Sequence, residues 1–246
     1  MKDKNTLHEG HRLRLKNRFL ESGLENFEDH NILELLLFYS IPRRDTNEIA
    51  HQLLEHFGSF KNVFDADFEE LIKVDGIKES SATLIKLISN IARKYALNKY
   101  EDGYKFNTAE KIGEYFLDKY IGETREIVYI MLLNNSLELL NVIKIHEGSV
   151  NSAMVSPRKI MDLVVKYNAS MVVLAHNHPG GSAVPSPEDV QTTYSLLSAF
   201  NAFDVKILEH YVISNNDYYT IIHSTEGLRD NCKANRDFFR NAKLVK

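Results

Sequence analysis

The apolar residues of this chain keep a helical period as far as about residue 96 and abandon it after about residue 107, which divides the fold into two kinds of structure. From Leu7 to Ala96 almost no stretch alternates as a strand does, and this predicts an all-helical half. The run Ile32-Leu33-Glu34-Leu35-Leu36-Leu37-Phe38 is too apolar for a surface, and Pro42 closes it. Asp45 with Glu48, and Asp67 with Glu70, have the spacing of capping boxes, and Gly58 ends the helix opened by the first pair. The last helix, about Glu79–Tyr95, is expected to bury Leu84, Ile88, Ile91 and Tyr95 on one face. Beyond an unpatterned stretch, a helix near Thr108–Tyr120 leads to a β-rich run at Ile127–Asn134. A hairpin turn at Asn134-Asn135-Ser136 enters Leu137–Ile145. Further helices are opened by Ser156-Pro157 and Ser186-Pro187, with strands at Met171–Ala175, Val205–Leu208, Tyr211–Ser214 and Tyr218–Ile222. The fold class expected is α+β overall. An all-α domain spans residues 1–97, a linker 98–104, an α/β domain with a mixed central sheet 105–228 and a basic tail 229–246.

Composition removes several alternatives. With 246 residues, 43% apolar and 26% charged, the chain is neither disordered nor a disulfide framework. The net charge of −4 hides a polarity: residues 1–18 and 229–246 each carry six Lys/Arg against two acids, so attraction to nucleic acid would be local to the termini. No run of 18 uncharged apolar residues occurs and residues 1–5 lack a signal-like apolar stretch, so a cytoplasmic protein with no membrane contact is expected. The lone cysteine, Cys232, can neither form an internal disulfide nor build a Cys-based zinc site.

The most informative stretch is Ala175-His176-Asn177-His178-Pro179-Gly180-Gly181, followed by Pro185-Ser186-Pro187-Glu188-Asp189. Alternate residues of a strand point the same way, their Cα atoms roughly 6.6 Å apart, so two imidazoles leaving Met171–Ala175 can share an ion. The Gly- and Pro-containing loop turns the chain back, and a carboxylate in the first turn of the next helix can add an oxygen. Two nitrogens and one oxygen suit zinc, with a fourth position for water. Ser186, Pro187 and Asp189 equally fit an N-cap, N1 and N3, a purely structural role. That reading leaves two histidines at the end of an apolar strand without a reason. Neither a metallo-β-lactamase spacing nor an amidohydrolase barrel fits, because Pro179-Gly180-Gly181-Ser182 follows the pair and only 68 residues remain after His178.

His176-x-His178-Pro179, then Asp189 with Ser186 three before it, resembles the JAMM (MPN/JAB) metalloprotease signature. Gly10-His11-Arg12-x-Arg14-Leu15, Leu35-Leu36-Leu37-Phe38, Ile41-Pro42-Arg43-Arg44-Asp45 and His176-Asn177-His178-Pro179-x-Gly181, in this order, resemble the RadC family. In that family a helix-hairpin-helix-like region precedes a JAMM-type domain. The resemblance runs from about Gly10 to Gly227. It implies a zinc-dependent hydrolase, one Zn2+ per chain, cleaving a peptide or isopeptide bond of a protein or peptide substrate. His176, His178 and Asp189 would bind the metal, Ser186 would hydrogen-bond the oxyanion, and an upstream glutamate would be the general base. Glu126, before the first strand, is favoured for that role, with Glu147 its rival. The family's usual Pro-Ser-Gly is Pro179-Gly180-Gly181 here, which bears on loop stiffness and substrate preference. His210, in Leu208-Glu209-His210-Tyr211, reads as a structural histidine before a second role near the metal.

Val74-Asp75-Gly76-Ile77-Lys78-Glu79-Ser80-Ser81-Ala82 has the outline of a phosphate-binding hairpin, but Lys78 replaces its second glycine, and Asp75 and Glu79 add negative charge. A packed turn is the better default, with weak DNA contact through Lys78 as the alternative. In the basic segment His11–Arg18, Leu15 and Phe19 are expected to dock while Arg14 and Arg18 face out. The competing function is therefore a DNA-repair accessory protein whose JAMM-like domain is a scaffold.

Overall fold

The computed structural model describes residues 4–42, 44–100, 103–148, 155–201, 203 and 205–232. Arg43, Glu101 and Asp102, and the basic tail from Lys233 onward, lie outside the described residues. The chain forms two compact units, residues 1–92 and 93–246, dividing inside a helix.

The first unit holds α1 (Lys4–Ser22), α2 (Asp29–Leu37), α3 (Asn47–Phe57), α4 (Phe60–Asp65), α5 (Phe68–Leu71) and most of α6 (Glu79–Leu97). The apolar run falls on α2 and is used on two faces. Leu33 and Leu37 join Leu53, Val63, Leu71 and Ile85, while Leu35 and Phe38 pack on Leu15. Glu34, 1% exposed in the same helix, accepts from Asn47 Nδ2 at 3.0 Å and lies 2.8 Å from His11 Nε2. Arg12 folds inward, donating to the carbonyls of Ile41 (2.7 Å) and Arg44 (2.6 Å) with its guanidinium over the Phe38 ring. These contacts account for much of the Gly10–Leu15 motif as structure.

Several local expectations need correction. Phe19 is 39% exposed rather than docked; only Leu15 of that pair is buried. Neither capping box forms: α3 starts at Asn47 after Thr46, whose hydroxyl donates to the Glu34 carbonyl, and Asp67 caps α5 without a side-chain bond. The inward face of α6 carries Ser81, Ala82, Ile85 and Ser89, leaving Ile91 52% and Tyr95 81% exposed. Two serines can sit inside because they are small and Ser89 Oγ donates to the Phe64 carbonyl at 3.1 Å. In the turn before α6, Gly76 has φ +84°, and a Cβ there would lie 2.7 Å from Ile49 Cδ1. The left-handed backbone, with Ile49 packed close against it, favours glycine here without any ligand.

The second unit contains α7 (Ala109–Lys119), β1 (Ile127–Leu133), β2 (Leu139–Glu147), α8 (Pro157–Tyr167), β3 (Met171–Asn177), α9 (Pro187–Phe200), β4 (Lys206–Ser214), β5 (Asp217–Thr220), α10 (Ile221–Ser224) and α11 (Glu226–Asn231). The strands form one sheet in the order β2-β1-β3-β4-β5, antiparallel except for the parallel pair β3–β4. All seven residues of β1 are buried because both sheet faces are covered. Ile127, Tyr129, Met131 and Leu133 meet α7 and its aromatic residues, while Val128, Ile130 and Leu132 meet α8 and α9. Tyr100, in the stretch read as a linker, is 9% exposed and its hydroxyl donates to Asp118. Two strands expected at Val205–Leu208 and Tyr211–Ser214 are a single β4, and the last expected strand ends at Thr220, where Ile221 opens α10.

Gly113 of α7 lies under the Tyr218 ring, and a Cβ there would approach ring carbons to 2.5 Å. Gly113→Ala is expected to destabilise this unit by about 1–3 kcal/mol through displacement of the ring. Urea unfolding measures this, and a loss below about 0.5 kcal/mol would mean the contact yields freely.

Candidate metal centre

The alternation of β3 decides where each side chain goes. Val173 and Ala175 face α7, and Val172 and Leu174 face α8 and α9. His176, two residues after Leu174, belongs to the α9 face, and His178 follows the strand on the same side. The chain returns to start α9 at Pro187, with Ser186 as N-cap and Asp189 as its third residue. A complete capping box forms. Ser186 Oγ accepts from the Asp189 amide at 3.1 Å, and Asp189 Oδ2 accepts from the Ser186 amide at 2.8 Å and from its hydroxyl at 2.7 Å. The box leaves the Asp189 carboxylate facing both imidazoles.

His176 Nε2 lies 3.1 Å from His178 Nε2 and 3.3 Å from Asp189 Oδ1, and His178 Nε2 lies 3.6 Å from Asp189 Oδ2. Ligand atoms at tetrahedral angles around zinc, each about 2.0–2.1 Å from it, are roughly 3.3–3.4 Å from one another. Glu126 adds a carboxylate oxygen within 4.8 Å of both histidine nitrogens, giving a Glu126–His176–His178 group able to hold a metal ion. Glu147 is engaged elsewhere, with Lys144 at 2.5 Å and Arg125 at 3.3 Å. Burial raises the Asp189 carboxyl, but the two imidazoles and the Ser186 hydroxyl beside it outweigh burial and hold the group well below the usual carboxylate range. The same carboxylate raises the His178 pKa against the opposing effect of burial.

The outer nitrogens of both rings are also placed. His178 Nδ1 lies 3.0 Å from the Ser182 carbonyl, which can only accept, so Nδ1 carries the proton and Nε2 has a free lone pair in the neutral ring. His176 Nδ1 lies 2.9 Å from His210 Nε2, and His210 Nδ1 lies 2.7 Å from Thr193 Oγ1. Burial pushes the His210 pKa well down.

Asn177, between the two histidines, points to the other side and ties β3 to the segment before β1. Its Oδ1 accepts from the Ile127 amide at 2.7 Å and its Nδ2 donates to the Arg125 carbonyl at 2.9 Å. The two backbone groups flank Glu126 and so fix where its side chain starts. The Tyr120 hydroxyl bridges the same strands, 3.0 Å from the Ile127 carbonyl and 2.8 Å from that of Ala175.

The profile of the family described as RadC-like JAB domain matches residues 106–228. A UPF0758 protein of Fusobacterium nucleatum subsp. nucleatum is 34% identical over 227 residues, covering 89% of this chain and 97% of that relative. The chain belongs to the RadC family. Its JAB domain coincides with the sheet-bearing part of the second unit, which carries all the groups just described. Among the described residues, no helix of this RadC family member is long and apolar enough to cross a membrane. Asn177 and Thr193 are site residues that sequence reasoning missed. The available signal was a polar side chain at a strand or helix position whose periodicity puts it inside, as Asn177 (4% exposed) and Thr193 (1%) both are.

Proposed function

We propose that the JAB domain is a zinc-dependent hydrolase of a peptide or isopeptide bond in a protein or peptide substrate. One zinc ion per chain would be held by His176, His178 and Asp189, and a cytoplasmic setting belongs to the same reading. The observation that carries it is the meeting of two imidazole nitrogens 3.1 Å apart with one carboxylate, whose Oδ1 lies 3.3 Å from His176 Nε2 and whose Oδ2 lies 3.6 Å from His178 Nε2. With His178 Nδ1 protonated toward Ser182, the lone pairs of two ring nitrogens and a carboxylate face one another, and a shared cation would relieve their repulsion.

Zinc in such a donor set acidifies a coordinated water and polarises a carbonyl oxygen. The protein supplies the remainder. Glu126 accepts a proton at its carboxylate as the water oxygen attacks the carbonyl carbon, then delivers it to the amine nitrogen as the C–N bond breaks. Ser186 Oγ, which here donates to Asp189 Oδ2, turns its proton to the carbonyl oxygen as negative charge grows there. The alternative reading, a DNA-binding accessory protein, gains nothing from Gly76, since the left-handed backbone and Ile49 account for that glycine.

Elemental analysis of protein purified without chelator is expected to give about one zinc per chain for wild type and for Glu126→Gln, and little for His178→Ala or Asp189→Ala. Equal zinc in all four proteins would undo the ligand set. Mass spectrometry of a peptide library should show new termini with wild type, and a rate lower by roughly 10²–10⁴ with Glu126→Gln. Undiminished cutting by that variant would remove Glu126 from the reaction.

A further inference from the structure

One line of hydrogen bonds leaves the metal centre through the protein interior. It runs from His176 Nδ1 to His210 Nε2 (2.9 Å), from His210 Nδ1 to Thr193 Oγ1 (2.7 Å), and from Thr193 Oγ1 to the Asp189 backbone carbonyl (2.7 Å). It begins and ends on proposed ligand residues and is buried throughout, with His176 1%, His210 4%, Thr193 1% and Asp189 5% exposed.

The last bond gives the line a direction. The Asp189 carbonyl can only accept, so the single Thr193 hydroxyl proton goes to it, four residues back along α9. The hydroxyl must then accept from His210, which places the His210 proton on Nδ1 and leaves a lone pair on Nε2. That lone pair must be met by a proton on His176 Nδ1. His176 Nε2 is thereby left bare, aimed at His178 Nε2 and Asp189 Oδ1. Reversing every proton would leave the Asp189 carbonyl without this donor and put a proton on the nitrogen facing the centre.

We propose that His210 and Thr193 are positioning residues that lock His176 in its Nδ1-protonated form with Nε2 presented to a divalent metal. The proposal rests on the metal reading above for its consequence, but the locked tautomer is a property of the metal-free protein. The bonds cross from β3 to β4 and on to α9, so the ring is held by the parallel pair of strands and by the helix that also delivers Asp189. Partners of this kind orient a ligating imidazole and raise its basicity, and their removal typically weakens metal binding about 10–100-fold.

Long-range 1H–15N spectra of the metal-free wild-type protein should show His176 and His210 each with the proton on Nδ1, and His176 protonated on Nε2 instead would overturn the proposal. Competition titration of Zn2+ against a chelating dye extends the test. His210→Ala should bind zinc about 10–100-fold more weakly than wild type, and Thr193→Val, which removes only the hydroxyl, should also bind less tightly. His210→Gln, whose amide can accept from His176 and donate to Thr193, should recover most of the loss. If Thr193→Val and His210→Gln both bind within twofold of wild type while His210→Ala binds more weakly, the hydroxyl end of the line is idle and the proposal fails. It fails also if all three match wild type. Should His210→Ala not fold, the Thr193→Val affinity and the tautomer spectrum decide. A wild-type protein that shows the Nδ1–H tautomer yet binds no zinc would overturn the metal reading and leave the lock standing.

Discussion

Glu209→Gln will change the pH dependence of folding and not merely its magnitude. Glu209 is 0% exposed on β4; its Oε1 accepts from the amides of His210 (2.8 Å) and Ile222 (2.7 Å), and its Oε2 from that of His223 (3.1 Å). It thereby holds α10 against the strand. Burial raises its pKa from 4.5 to about 8, although the three backbone donors act in the opposite direction. Because the folded-state pKa is the higher one, the folded protein keeps a proton that the unfolded chain releases above about pH 4.5. The contribution to stability is complete below that pH, declines as pH rises toward about 8, and is flat above. From pH 5 to pH 9 wild type should lose on the order of 4 kcal/mol from this group. The glutamine is neutral throughout and lacks this slope, but sets an –NH2 against the His223 amide at a cost of about 1–3 kcal/mol. Urea unfolding across that range should find the variant weaker at pH 5 and level with or above wild type at pH 9. Parallel curves would mean that the carboxyl ionises normally in the folded protein.

Under the proposed ligand set, Asp189→Ala should lose all of the stabilisation that added zinc would give. Without metal the change removes half of a capping box from α9, about 0.5–2 kcal/mol. With zinc at a thousandfold excess over its dissociation constant, wild type should gain about 4 kcal/mol, which is roughly 8–16 °C in Tm for a domain of this size. The variant, with only two nitrogens left at the centre, should show little shift. Thermal melts with and without zinc measure both terms, and equal shifts in the two proteins would exclude this carboxylate from the ligand set.

What the sequence revealed of this centre was what is local. His176, His178 and Asp189 lie within a strand end, a loop and a first helical turn, so two short-range periodicities bring them together. Glu126 comes from the segment before β1 and was legible only through family resemblance. The partners of Asn177 and His210 are across the sheet or on another element, and spacing gives no access to them. The same limit misled the fold reading. Glu209-His210 looked like a break between strands because charged residues seldom sit inside, yet both are satisfied within an unbroken β4. The face of α6 was misplaced because hydrophobicity ranks Ile91 and Tyr95 above two serines, whereas the packing selected small side chains.

Asn177 grips main-chain atoms on either side of residue 126 and makes no use of that residue's side chain. Position 126 therefore behaves as a socket. Aspartate, histidine or cysteine can be installed there with the neighbouring peptide groups still anchored, so different proton acceptors and nucleophiles can be compared on a fixed mount.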